Sequence, residues 1–201
     1  MVSCSYYIMR QKRKKGEQMK KVVEIVHDIM RSVPEGSGAA ADFTLGQGFD
    51  CEVLAELAHI ERVYAFDVQE QAIADARTYL ADKTGFAKIR FICDGHEHLR
   101  RYIDEPLQLG VFNFGYYPRG NKTLTTRLRT SAQAVEGALE LLCPKGMLIL
   151  VTYPGHAEGK KEEGYFAHMM QALPSRHFDC LSMIMSNKKD CPRIHIIEKK
   201  R

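Results

Sequence analysis

The stretch Ala39-Ala-Ala-Asp-Phe-Thr-Leu-Gly-Gln-Gly-Phe-Asp50 decides how this chain folds. Small apolar residues lead to an acid, and Gly46 and Gly48 then break the run. That order reads as a short strand over 39–44, a tight turn, and a helix from about Phe49 to His59. Val53, Leu54, Leu57 and Ala58 fall on one side of that helix. Lacking a Cβ, glycine lets the backbone turn sharply and approach a ligand closely. A lone Gly-x-Gly is nevertheless weak, because many strand-to-helix turns need glycine and Cys51 stands where a dinucleotide loop has its third.

The same alternation continues downstream. Arg62-Val-Tyr-Ala-Phe66 is a strand ending on Asp67, and an alanine-rich helix follows over Gln69 to Asp82. Strands come next at Lys88–Cys93, ending on Asp94-Gly-His-Glu97, and at Leu109–Asn113. Helical spacing returns over Thr130–Cys143, and the uninterrupted apolar run Met147–Val151 suggests a strand buried on both faces. A helix over about Lys161–Leu173 precedes two last strands, Asp179–Met185 and Arg193–Ile197. Upstream, apolar spacing predicts a helix from about Glu17 to Val33, closed by Pro34-Glu-Gly-Ser-Gly38. Strand and helix thus alternate repeatedly, which argues for an α/β fold: a mainly parallel seven-stranded sheet with helices on both faces. With no helix between them, the last two strands pair as an antiparallel hairpin at one edge.

Composition is consistent with one domain over 17–201 behind a basic tail, 1–16, to which no function is assigned. The 201 residues are 45% apolar and 27% charged, an ordinary globular balance. No apolar run reaches bilayer length, and Tyr6-Tyr-Ile-Met9 is too short for the apolar region of a signal peptide. Those features point to the cytoplasm and away from a membrane. The six cysteines form no CxxC pair, and most sit in apolar runs, so they read as buried free thiols. The histidines show no HExxH spacing, and no metal is indicated. The net charge of +4 is concentrated in Arg10-Gln-Lys-Arg-Lys-Lys15, Lys20-Lys21 and the C-terminal Glu198-Lys-Lys-Arg201. Such runs are usually solvated; the alternative is a phosphate-binding surface, favoured by counterion release.

In open α/β sheets ligands gather at the carboxyl ends of the strands, and the polar motifs fall there. Asp67, some twenty residues past the glycine loop, can accept bonds from both hydroxyls of a ribose; as an alternative, it caps the next helix. Asp94-Gly-His-Glu97 can hold an adenine, or can be a capped turn. Asn113-Phe-Gly-Tyr-Tyr-Pro118 puts a side-chain amide and two aromatic faces at a strand end. Asn113 can anchor an amine through its carbonyl oxygen while Tyr116 or Tyr117 stacks on the base that carries it. An ordinary turn is the competing reading. With the glycine loop, the motif suggests methyl transfer to an amine.

These residues carry a family resemblance. The loop, Phe66-Asp-Val-Gln69, Asp94-Gly-His-Glu97, Asn113-Phe-Gly-Tyr-Tyr-Pro-Arg-Gly-Asn-Lys122 and Tyr153-Pro-Gly-His-Ala-Glu-Gly159 resemble the MnmM-type tRNA methyltransferases, once labelled rRNA methylases. The likeness runs from about Ala39 to the C-terminus. It implies a Rossmann-like class I fold, S-adenosyl-L-methionine as cofactor, and the 5-aminomethyl group of 2-thiouridine at the tRNA wobble position as acceptor. Under it, Gly46, Gln47, Gly48 and Asp50 contact the methionine portion of the cofactor, Asp67 and Gln69 the ribose, and Gly95, His96 and Glu97 the adenine. Asn113 and Tyr116 face the methyl group, and Lys122, Thr126 and Arg127 meet phosphates of the tRNA anticodon arm. The chain departs from the family loop in having Gln47 for Asn and Phe49-Asp-Cys51 after the glycines.

An alkylammonium must lose a proton before it attacks, and His156 and Glu158, after the fifth strand, are candidates to take it. Glu158 is also counted among the substrate contacts. A homodimer is expected, since a transferase of this size offers little surface for a whole anticodon arm. Three rivals stay open: a small-molecule methyltransferase, a noncatalytic RNA-binding module and a nucleotide-dependent oxidoreductase, the last disfavoured by the missing glycine.

Overall fold

A computed structural model describes residues 20–36, 38–115 and 125–200. Its strands are β1 (Ala39–Asp42), β2 (Val63–Asp67), β3 (Ile89–Cys93), β4 (Leu107–Asn113), β5 (Leu142–Thr152), β6 (Phe178–Met183) and β7 (Arg193–Lys199). Helices α1 (Val22–Arg31), α2 (Phe49–Glu56), α3 (Glu70–Leu80), α4 (Leu128–Leu141) and α5 (Ala157–Ala172) surround them. One seven-stranded sheet runs in the order β3-β2-β1-β4-β5-β7-β6. The first five strands are parallel, and β7 pairs antiparallel with both β5 and β6. The expected architecture is therefore the observed one, edge hairpin included.

Strand alternation sends side chains into a core on each face. Tyr64, Phe66 and Phe112 point one way, toward Ala134, Val135 and Ala138 of α4 and Phe166 of α5. Val63, Ala65, Leu109 and Val111 point the other way, toward Val26 and Met30 of α1, Leu54 of α2 and Leu80 of α3. All four residues of β1 are buried, as a central parallel strand requires. Leu107 and Leu109 would share a face under strict alternation, but the register shifts between them and sends them to opposite cores.

Several boundaries differ from expectation for local reasons. The fifth strand starts at Leu142, directly after α4, five residues before the apolar run. Pairing of Leu107 with Leu142 extends it through the polar Cys143-Pro-Lys-Gly146, which hydropathy alone reads as a turn. Likewise α5 starts at Ala157, because the His156 side chain caps it. Expectations about the cysteines need correction: among the described ones only Cys51 is buried, while Cys93 and Cys180 are exposed on strands near the sheet edges. All five described cysteines are free. The tail 1–16 lies outside the described residues. Among the described residues, no helix is long and apolar enough to cross a membrane, and no group of His, Cys, Asp and Glu could hold a metal.

Candidate active site

Strand order reverses between β1 and β4, and there the carboxyl ends of β1, β2, β4 and β5 open onto a cavity of about 710 Å³. Phe43, Phe66 and Phe114 line it and belong to a longer row of rings behind the wall. Phe66, Phe43, Phe112, Phe114 and Phe166 stack in a row with successive centroid separations of 5.7, 4.3, 5.4 and 5.1 Å. This rigid apolar base fixes the strand ends from which the polar groups project. The rim carries three exposed apolar side chains, Val23, Phe49 and Val68.

The glycine loop is held by Asp67. Its Oδ2 accepts the Gly46 N–H at 3.0 Å and its Oδ1 the Gln69 N–H at 2.9 Å, just ahead of α3. The N-cap of α3 is Gln69, so Asp67 closes the turn ahead of the helix and does not cap it, and each of its carboxylate oxygens keeps a lone pair open to a ribose hydroxyl. Burial raises the Asp67 carboxyl above its usual range, against the lowering by those backbone donors. Gly46 and Gln47 line the cavity. Gly48 instead serves packing: at φ +87, a Cβ there would come within 3.0 Å of Leu80 Cδ1.

Beyond β3, the Asp94 carboxylate accepts from the Gly95 N–H and Tyr102 Oη and lies 2.8 Å from His98 Nδ1. Burial works upward on Asp94, but these bonds together bring it below the usual range. His96 and Glu97 lie on the cavity wall; Gly95 does not. The His96 Nδ1 sits 3.1 Å from the Phe43 carbonyl oxygen and must carry the hydrogen, because a carbonyl can only accept. Its Nε2 is then a buried acceptor with no protein partner among the described residues. Burial pushes the His96 imidazole down, so the ring stays neutral.

Asn113, at the end of β4, is the most tightly determined side chain of the site. Its backbone N–H donates to Thr44 Oγ1 at 2.7 Å. Nδ2 donates to Asp50 Oδ2 at 3.3 Å, and Oδ1 accepts from Tyr153 Oη at 2.8 Å. A carboxylate only accepts, so this pattern settles which end of the amide is which. Burial and the Asp50 charge, against the lowering by the Asn113 bond, leave the Tyr153 hydroxyl pushed up to about 12, so it remains a donor. Asp50 is itself 2.7 Å from His27 Nε2 through its other oxygen. Asn113 Oδ1 thus keeps one lone pair for a ligand.

The remaining expected residues spread more widely. Tyr116, Tyr117 and Lys122 lie outside the described residues. Thr126 lines the cavity and closes the loop base, its N–H donating to the Gly115 carbonyl at 2.9 Å and its Oγ1 accepting the Gly115 N–H at 3.0 Å. Arg127 precedes α4 and is not on the wall. His156 is on the wall, but its Nδ1 accepts the Gly159 N–H at 3.1 Å. The neutral ring then holds its hydrogen on Nε2, and a second proton would have to take the capping nitrogen. Glu158 is off the wall and 2.5 Å from Lys161 Nζ, whose hydrogen bond lowers its pKa and makes it a poor base. The geometry therefore weighs against either of them as the proton acceptor.

Sequence reasoning missed Thr44, Tyr153 and His27. The first two end strands or follow their ends, so the rule that singled out Asn113 applied to them equally. His27, a lone histidine on a helix face, carried no signal.

An extended cavity with a carboxylate, a backbone turn and an unpaired buried acceptor suits an adenosyl group joined to an amino acid. Comparisons with known proteins agree. The family described as "Putative rRNA methylase" matches residues 63–199. A curated relative, the Arabidopsis thaliana "tRNA (mnm(5)s(2)U34)-methyltransferase, chloroplastic", is 27% identical over 186 residues, 86% of this chain and 67% of the relative. A solved structure from Clostridium thermocellum with the same description as the family is 30% identical, covers 91% of this chain and all of its own, and superposes with TM-score 0.84. Another, from Streptococcus mutans and solved in complex with SAH, is 32% identical with TM-score 0.81, over 90% of this chain and 99% of its own.

Proposed function

This chain belongs to the rRNA methylase family, and on that premise we propose that it methylates the primary amine of 5-aminomethyl-(2-thio)uridine at tRNA wobble position 34. It is an S-adenosyl-L-methionine-dependent methyltransferase of class I fold. The tRNA assignment draws on the name of the Arabidopsis relative. The observation that carries the reading is the pinned amide of Asn113, which offers one free acceptor lone pair at a strand end inside the cavity.

Gly46, Gln47 and Asp67 hold the cofactor at the loop, and His96 Nε2 offers an acceptor toward the adenine side. When bound, the donor supplies a methyl group already activated by its sulfonium. The Asp50 carboxylate, beside Asn113, draws in the cationic amine. With His156 and Glu158 both engaged, the proton passes to water at the rim. Asn113 Oδ1 then accepts an amine N–H and turns the nitrogen lone pair toward the methyl carbon. The amine nitrogen would take the methyl group as that group's bond to sulfur breaks, giving a secondary ammonium that can release its own proton to water at the rim. Positioning of this kind can supply much of the rate without any strong acid or base. Arg127 and Thr126 contact the anticodon arm, Lys122 is assigned to the same arm by its sequence alone, and the cytoplasmic location, the single domain and the homodimer belong to the same proposal.

Labelled S-adenosyl-L-methionine tests it. Label should enter tRNA whose wobble uridine bears a 5-aminomethyl group and should not enter the same tRNA without it. Equal labelling of both would sink the assignment, and label found only on a metabolite would favour a small-molecule enzyme.

A further inference from the structure

We propose that His27 is a positioning residue of the methyl-transfer site, acting through Asp50 to fix the amide of Asn113. This rests on the proposed function only for the identity of the amine. Helix α1 precedes the matched span 63–199, and its buried Val26 and Met30 anchor it on the sheet. The residue between them that faces α2 is His27, whose Nε2 lies 2.7 Å from Asp50 Oδ1. Both side chains are largely out of water, at 18% and 9% exposure, where an interaction is weakly screened.

A helix-to-helix tether would use the His27–Asp50 contact and nothing more. Here the second Asp50 oxygen accepts from Asn113 Nδ2, and Asn113 Oδ1 accepts from Tyr153, so the chain of bonds ends at the cavity. Each Asp50 oxygen thus has one of these partners, His27 at Oδ1 and Asn113 at Oδ2. With His27 gone, the carboxylate is free to turn about its terminal torsion, which has no sharp wells of its own. Asn113 then loses the partner that distinguishes its nitrogen from its oxygen. A turned amide would present N–H to the substrate and donate into the amine lone pair that must attack. His27 thereby governs the rate of transfer more than the binding of the cofactor.

The test uses the full chain with His27→Ala and His27→Gln, each checked by thermal melting. His27→Ala is expected to lower kcat by on the order of 10²-fold, with S-adenosylhomocysteine affinity unchanged within about twofold. Gln, whose amide can donate to Asp50, recovers most of the rate. In an Asn113→Ala background, His27→Ala adds no further loss, as coupled residues require. A second readout needs no substrate. The Asn113 side-chain amide resonances, identified by their absence in Asn113→Ala, should keep slow hydrogen exchange in wild type and His27→Gln and lose it in His27→Ala. Unchanged kcat and exchange in His27→Ala, or losses that add in the double variant, would overturn the proposal. Should wild type methylate no amine-bearing tRNA, the functional reading falls while the exchange measurement still decides on His27.

Discussion

Asn113 does its work through orientation, and the residues around it differ in what their removal should do. Tyr153→Phe deletes the donor 2.8 Å from Asn113 Oδ1 while leaving the ring packed. It should lower kcat by roughly tenfold, about the value of one such hydrogen bond, without changing cofactor affinity in calorimetry. Asn113→Ala removes the acceptor itself and should cost on the order of 10²-fold or more in kcat; full activity would show that the amine is anchored elsewhere. Asp67→Ala behaves differently. Losing the two carboxylate oxygens that accept the Gly46 and Gln69 N–H groups should weaken S-adenosylhomocysteine binding, read directly by calorimetry, and an unchanged affinity would remove Asp67 from the cofactor site.

At the level of elements, the first turn of α5 tolerates no side chain at Gly159. A Cβ on Gly159 would collide with the Tyr153 carbonyl oxygen, which is backbone and cannot swing aside. Gly159→Ala should therefore displace Tyr153, lowering both the melting temperature and kcat, whereas Gly164→Ala, on the same helix with open space around it, should leave both unchanged. This turn also shows what the sequence could reveal. Strand ends marked by Gly46, Asp67 and Asn113 were legible because small, acidic and amide residues interrupt apolar runs. The start of α5 was not, because its cap is a histidine, and hydropathy cannot tell a capping ring from a base. Cys93 and Cys180 were misread as buried because position within a strand says nothing about how close that strand lies to the sheet edge. His27 was invisible for a stronger reason: its role depends on Asp50 and Asn113, which only the folded sheet brings together.

Over the whole molecule, a buried polar cluster ties the edge hairpin to α5. Glu163 accepts from Arg193 Nη1 at 2.6 Å and from Thr152 Oγ1, and lies 2.8 Å from His195 Nε2. Burial works upward on its carboxyl, but these three partners bring it down to about 2. A depressed carboxyl contributes stability above its unfolded pKa and loses it as pH falls through the folded value. Wild type should therefore lose roughly 2–3 kcal/mol from this group between pH 4.5 and 2. In Glu163→Gln that part of the acid sensitivity should vanish from denaturant-unfolding free energies measured across the window. An identical slope in both proteins would place the acid-labile groups elsewhere.

The account as a whole requires the methyl group to arrive on one nitrogen. After incubation with S-adenosyl-L-methionine, the wobble nucleoside should be isolated from tRNA bearing 5-aminomethyl-2-thiouridine and fragmented by mass spectrometry. The account predicts one added methyl group, located on the side-chain amine, formed by wild type and suppressed in Asn113→Ala. A methyl group on the base, on the ribose, or on any other nucleotide would contradict it.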